Sequence, residues 1–295
     1  MAIETIRKIV SISHDGFGHM WYPFSASFEE NCTIISAEYY FEIGDFLSLI
    51  RAMFATNNHS PEILSKQNVR LTKKHLIGND RKTQCSIRFV TDDSEFLLQR
   101  CFIGPYSTEA RLQKIGNSIV YRNHDVIQML SKFGKPIVID DGGLFNNNSL
   151  IFKPIDNHTR KSLVALSNNW ARMVGFVDSR LDIDYDGRWS TRGDVDAFGN
   201  RRYSARNGTP SPLRLLANLA QAVMKKRVFG MCTPIFSPFN VDSLNDCEVI
   251  TIIDLIRKLG KEESLQFIVA INTNSNTNSM IGAIETPRLA VYEKL

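Results

Sequence analysis

The stretch from Leu213 to Asp246, LRLLANLAQAVMKKRVFGMCTPIFSPFNVDSLND, most restricts what this chain can build. Leu213, Leu215, Leu216, Leu219, Ala220 and Val223 recur at helical spacing and mark one apolar face. Lys225, Lys226 and Arg227 fall in the last turn, where cations complement the helix dipole. Val228 to Phe236 follows as a nearly continuous apolar run, interrupted by Gly230, Thr233 and Pro234, and reads as a strand buried on both faces. A helix feeding such a strand implies a parallel sheet under helices. A nucleotide-hydrolysing site would end this strand with Asp-Glu, one carboxylate holding magnesium through water and the other polarising the attacking water. In this chain Ile235 and Phe236 stand there.

The N-terminal part repeats the pattern. Ile6 to Ser13 and Ala26 to Ser36 read as two strands, the second ending in Thr33-Ile34-Ile35, and Phe46, Leu47, Leu49, Ile50, Met53 and Phe54 then give a helix a broad apolar face. The loop between them, AEYYFEIGD from Ala37 to Asp45, is where a phosphate-cradling loop would lie. Such a loop needs glycines so that backbone N–H groups can close on phosphate, with a lysine and a Ser or Thr. This one has a single glycine, no lysine, and three aromatic rings where the nucleotide would sit.

Composition bounds the class. At 295 residues and 43% hydrophobic content the chain can bury one large core or two small ones. Lys plus Arg number 35 against 31 Asp plus Glu, a net +4 that permits nucleic-acid contact without requiring it. The cysteines (Cys32, Cys85, Cys101, Cys232, Cys247) lie far apart with no C-x-x-C, and the histidines form no cluster, so no metal site is expected. Cys85, Cys101 and Cys232 fall in apolar strand-like runs and read as buried thiols in a reducing compartment. No signal peptide or membrane span is expected, which places the chain inside the cell.

Residues 55–84 are polar and basic, with Lys66, Arg70, Lys73, Lys74, Arg81 and Lys82, and read either as a solvated loop or as a phosphate-binding surface. Cys85–Thr91 and Glu95–Ile103 are two strands joined by a turn at Asp92-Asp93-Ser94. A helix over Asn123–Phe133 leads into the apolar run Ile137–Ile139, and Asp140–Ser149 punctuates the chain. Asn157–Phe176 reads as a helix, Leu181–Tyr185 as a strand, 187–212 as a long exposed loop, Val249–Leu259 as an amphipathic helix and Leu265–Ile271 as a buried strand. Asn272–Ser279 is of low complexity.

Taken together, this order resembles the folded ATP-binding head of an SMC (structural maintenance of chromosomes) protein, most closely the sixth SMC, partner of the fifth in a DNA-repair complex. Residues 15–36 look like that family's first strand pair, 121–140 like the helix and strand before its coiled-coil exit, and 166–188 like its re-entry segment. Residues 235–246 are similar to the family's "D-E-F-D-x-x-M-D-x-x-N", with Asp242 and Asn245 matching, and 265–273 to its last strand, "Q-F-I-x-x-T-P". In this alignment Ile43 and Gly44 stand at the P-loop Lys and Ser, Ala37 and Tyr40 at glycines, and Ile235 and Phe236 at the magnesium aspartate and catalytic glutamate. NGTPSP (207–212), containing Gly208, stands at the signature motif, and the roughly twenty residues Asp140–Arg160 replace the coiled-coil arms and hinge.

The resemblance implies an α/β fold of ABC/SMC-head type. It would be a two-lobed sandwich, an antiparallel N-terminal sheet joined to a mainly parallel core sheet flanked by helices. The N-terminal lobe would span 1–141, the connector 142–160 and the C-terminal lobe 161–295, folding as one unit. It implies a pseudo-ATPase with no catalytic residue and no cofactor, nuclear by analogy. Its partners would be an SMC-type head or a non-SMC subunit, with Asp242, Asn245 and Gly208 as partner-face candidates; the other role for Asp242 and Asn245 is to cap the turn before the next helix. DNA is a further candidate partner through Lys73, Lys74, Arg81 and Lys82; no membrane is implied. Two alternatives stay open: an atypical ATPase with Asp45, Asp242 or Asp246 as magnesium ligands, and a free-standing basic DNA-binding module.

Overall fold

The computed structural model describes residues 4–17, 23–37, 40–56, 83–103, 106–139, 156–176, 180–183, 189–192, 212–230, 232–239, 241 and 244–272. In chain order these form β1 (Glu4–Thr5), β2 (Lys8–His14), β3 (Phe24–Ser27), β4 (Cys32–Ala37), helix α1 (Tyr40–Met53), β5 (Thr83–Val90), β6 (Glu95–Ile103), β7 (Tyr106–Lys114), β8 (Val120–Arg122), helix α2 (His124–Ser131), β9 (Phe133–Gly134) and β10 (Ile137–Val138). Helix α3 (Asn157–Met173), β11 (Arg180–Ile183), β12 (Trp189–Arg192), helix α4 (Pro212–Phe229), β13 (Ile235–Phe239), helix α5 (Asp246–Glu263) and β14 (Phe267–Asn272) complete them. No described helix is long and apolar enough to cross a membrane.

Two sheets carry the architecture. The first is antiparallel, in the order β3-β2-β5-β6-β7-β8; the second is wholly parallel, in the order β10-β13-β14-β4. The parallel strands are short and buried on both faces, which is why they read as continuous apolar runs. Along β4, Ile34 packs with the outer helices while Ile35 and Ala37 pack toward α1, the period of two that a strand imposes. One core therefore lies between the parallel sheet and α3, α4 and α5; the other lies between the two sheets, around α1. The parallel sheet takes β4 and β10 from the first half of the chain and β13 and β14 from the second.

Gln266 joins the two sheets. Its Oε1 accepts the N–H of Ile9 at 2.8 Å, and its Nε2 donates to the carbonyls of Ile9 and Glu29, both at 2.8 Å. Ile9 sits at the β2–β5 register shift, where the ladder leaves backbone groups to be satisfied from elsewhere. Asn168 of α3 does the same for β11, accepting from the Leu181 N–H at 2.7 Å and donating to the Leu181 carbonyl at 2.8 Å.

Several sequence expectations are corrected. Ala26–Ser36 is not one strand: it divides into β3 and β4, which belong to different sheets. Helix α1 starts at Tyr40, so most of the stretch taken as the loop 37–45 is helical. The apolar run from Val228 divides too, because α4 continues through Phe229 and stops at Gly230, whose φ of +66° suits a helix end. Val228 and Phe229 are 50% and 64% exposed rather than buried in a strand. Strands β7 and β8 were not anticipated, and within 187–212 residues 189–192 form a strand and Pro212 begins α4. Of the thiols, Cys32 and Cys85 are buried, Cys101 and Cys232 half-buried and Cys247 exposed.

Candidate functional site

In an open parallel sheet ligands bind beyond the carboxyl ends of the strands. The rim here is fixed by register: Phe239 of β13 lies level with Ile271 of β14 and Ser36 of β4, and Asn272 with Ala37. Only residues 38 and 39 separate β4 from α1. The N-terminus of α1 therefore opens directly onto the rim, with the unpaired N–H groups that could hold an anion.

The described side chains of that first turn are Glu42 and Ile43. Glu42 lies in the first turn and is fully buried, and Asp45, one turn on, is 2% exposed. A helix N-terminus favours negative charge, and Glu42 is the acidic residue placed there. Ile43 is fully buried in the core between the sheets, and a Cβ added at Gly44 would meet nothing within 4 Å. Neither position presents a cation. Glu42 escaped the sequence reading; the signal would have been an acidic residue in the first turn of a helix begun at Tyr40. Tyr40 is the first residue of that helix, and Ala37, 2% exposed, is the last residue of β4.

Ile235 and Phe236 do not stand at the end of their strand. They are its first two residues, level with Phe267 and Ile268 and through them with Cys32 and Thr33. At about 3.3 Å per residue the rim at Ala37 is about 13–16 Å further along the sheet. Their work is packing, on opposite faces: Ile235 faces the outer helices, while Phe236 meets Phe46 of α1 at 6.1 Å and Phe28 at 6.4 Å. The apolar run that opens at Val228 sets the expected strand end at Phe236, three residues before the observed end at Phe239. The described rim positions on β13 and beyond, Phe239 and Val241, are both 1% exposed.

Asn245 is the N-cap of α5. Its side chain accepts the Glu248 N–H at 3.0 Å while the Glu248 carboxylate accepts the Asn245 N–H at 2.9 Å, a reciprocal capping box. Capping is the role the structure gives Asn245. Asp246 is exposed on the same turn. Asp242, Gly208, Lys73, Lys74, Arg81 and Lys82 lie outside the described residues, as do the stretch 207–211 and most of the connector.

At the far end of α1 a buried cation takes the place a helix terminus favours. Arg100, 1% exposed, donates from Nη2 to the Ala55 carbonyl at 2.6 Å. Burial lowers it to about 10, so it stays charged at neutral pH. It shares one lateral row with Cys85 and His14 across β6, β5 and β2. Burial raises the Cys85 thiol well above its usual range and pushes the His14 imidazole down to about 4. His14 Nδ1 accepts the Gly16 N–H, its ring stacks on Phe24 at 5.5 Å, and Nε2 has no partner among the described residues. Among the described residues no group of three metal-ligating side chains converges.

Among solved structures, an SMC head bound to the C-terminal winged-helix domain of ScpA superposes with a TM-score of 0.55 at 15% identity, covering 90% of each chain. An Smc head domain with an extended coiled coil, bound to the C-terminal domain of ScpA and derived from Pyrococcus furiosus, superposes at 0.52 and 11% identity over 90% of this chain and 89% of that one. No family model matches the chain, and no curated protein sequence matches it. The chain therefore has an SMC-head-like, ABC-ATPase-type fold, with mixed α/β layers and sheets flanked by helices.

Proposed function

We propose that the chain is an arm-less, catalytically inactive head most like that of the sixth SMC, which works by binding. It would serve as a regulatory subunit of a nuclear chromosome-maintenance or DNA-repair complex of the five–six type. The reading rests on one observation: at the N-terminus of α1, where a triphosphate would dock, the buried side chains are Glu42 and Asp45, with Ile43 between them. A carboxyl in the first turn takes the helix position that favours negative charge, the position a phosphate would use. Register supports the same reading at the other half of the site. Level with Ser36 stands Phe239, so the last described position of β13 holds no carboxylate for magnesium or for water.

Both similar heads are bound to ScpA domains, which makes a non-SMC subunit or a second SMC-type head the partner to seek. Titration calorimetry with Mg-ATP on the purified chain is the test. The expected outcome is no saturable heat at millimolar nucleotide. Stoichiometric binding would overturn the reading and return Asp45, Asp242 and Asp246 to consideration as metal ligands, with Asp242→Ala the first variant to assay for lost turnover.

A further inference from the structure

The cysteines of the chain sit in unlike surroundings. Cys32 and Cys85 are buried, and burial pushes the Cys32 thiol up to about 12 and that of Cys85 well above its usual range, so both are inert at neutral pH. Cys247 is exposed in the first turn of α5, and Cys101 is half-buried with Glu109 opposite it across β6 and β7. Cys232 differs from all of these, because it is half-buried and two cationic side chains face its sulfur.

The end of α4 creates this arrangement. The Gly230 N–H donates to the Lys226 carbonyl at 2.8 Å, and a φ of +66° at Gly230 lets the chain leave the helix there. Cys232 is thereby laid beside the last turn of the helix. Lys226 Nζ donates to Cys232 Sγ, and the thiol donates to the Gly230 carbonyl at 3.4 Å. Arg227, next along α4, pairs with the carboxylate of Glu263, whereas among the described residues Lys226 pairs with no carboxylate and has the thiol as its partner. Arg7, in the link between β1 and β2, completes the cluster. Its guanidinium is held above its ordinary value first by the hydrogen bond to Asp92 and then by the negative neighbours Asp92 and Cys232. Thiols in electropositive, partly exposed surroundings are the ones that react with oxidants.

We propose that Cys232 and Lys226 form a reversible oxidative cross-link, a sulfenamide bond between Sγ and Nζ made with hydrogen peroxide as the oxidant. The sulfur attacks one peroxide oxygen, the O–O bond breaks, and a Cys232 sulfenic acid and water result. Lys226 then attacks that sulfur as the free amine: the S–N bond forms, the S–O bond breaks, and the departing hydroxide takes the proton lost by nitrogen. One thiol, one amine and one peroxide thus give one sulfenamide and two waters, with sulfur oxidised by two electrons and peroxide reduced by two. Excess thiol reverses the link, returning the Cys232 thiol and the Lys226 amine while the reductant leaves as its disulfide. The link encloses Gly230 and ties the end of α4 to the lead into β13. It lies at the opposite end of that strand from the rim, so it does not depend on whether ATP binds.

Intact mass spectrometry of the full chain, after peroxide treatment and desalting without reductant, tests the proposal. The expected product is lighter by about 2 Da, the two hydrogens lost. Peptide mapping should join Lys226 to Cys232, and dithiothreitol should restore the starting mass. Lys226→Arg keeps a cation beside the sulfur but removes the amine, so this variant should instead gain about 16 Da at Cys232, trapped by dimedone as the sulfenic acid. Arg7→Gln should form the link more slowly than the wild type. Unchanged thermal melts of both unoxidised variants confirm that folding is intact. The proposal is overturned if the wild type gains oxygen at Cys232 with no bond to Lys226, if the lost mass maps to a disulfide, or if Lys226→Arg loses the same mass. A linked species heavier by about 14 Da would also overturn it, since the oxygen would then remain between sulfur and nitrogen.

Discussion

At the scale of single residues, burial sets the chemistry. His14 is 4% exposed, packed against Phe24, with the Cys85 thiol opposite it in register and Asp15 next along the strand. Burial holds its imidazole at about 4, against about 6.5 in an unfolded chain. Between those values the unfolded chain takes up a proton that the native protein does not, so stability is lost as pH falls from about 6.5 to about 4. In full the loss is about 3 kcal/mol. Urea unfolding at neutral pH and near pH 4.5 should show the wild type losing markedly more stability than His14→Phe. Equal losses would mean that His14 is not the group responsible. The same scale separates Gln266 from its neighbours. In the sequence it is one letter of a strand motif; in the structure it satisfies three backbone groups of Ile9 and Glu29.

At the scale of elements, helix α5 shows how close packing overrides local preference. It begins with the Asn245 capping box and ends at Ser264 in a left-handed conformation, φ +51°. A Cβ built at Gly260 would lie 2.5 Å from the Asn31 carbonyl oxygen. That carbonyl cannot easily move, since it accepts the Phe267 N–H at 2.9 Å where β14 starts. Helix propensity alone favours Gly260→Ala by about 1 kcal/mol. Overpacking against a pinned backbone costs about 1–3 kcal/mol, and the clash is severe enough to prevail. Gly260→Ala is expected to lower the denaturant midpoint; a raised midpoint would show that the Asn31 segment yields freely. Helix α4 illustrates the opposite limit, because Val228 and Phe229 extend it past the core and remain exposed.

At the scale of the whole molecule, the parallel sheet interleaves the two halves of the chain. β4 and β10 flank β13 and β14, so a fragment ending at 141 leaves β4 and β10 without their neighbours, and a fragment starting at 161 leaves β13 and β14 with open edges. Expressed separately, residues 1–141 and 161–295 should each fail to show a cooperative thermal transition, while mixing or co-expression restores one. A cooperative melt from either fragment alone would mean that the lobes are independent domains.

Much of this was legible in the residues. Helix periodicity placed α3, α4 and α5, the Asp92-Asp93-Ser94 turn placed the β5–β6 hairpin, and the apolar runs marked β4 and β14 as buried. Those features follow from local spacing, which the sequence carries directly. It could not say where β13 begins, because a run of apolar residues has no internal period to distinguish a helix end from a strand. The missing boundary moved Ile235 and Phe236 from the rim to the base of the sheet. Nor could it reveal β7 and β8, whose polar outward residues hide the few that face the core. Above all, spacing along the chain cannot show that Arg7 faces Cys232, or that Glu42 and Asp45 are buried beside a helix end. These are relations between segments far apart in sequence, and only the packing of one sheet against another decides them.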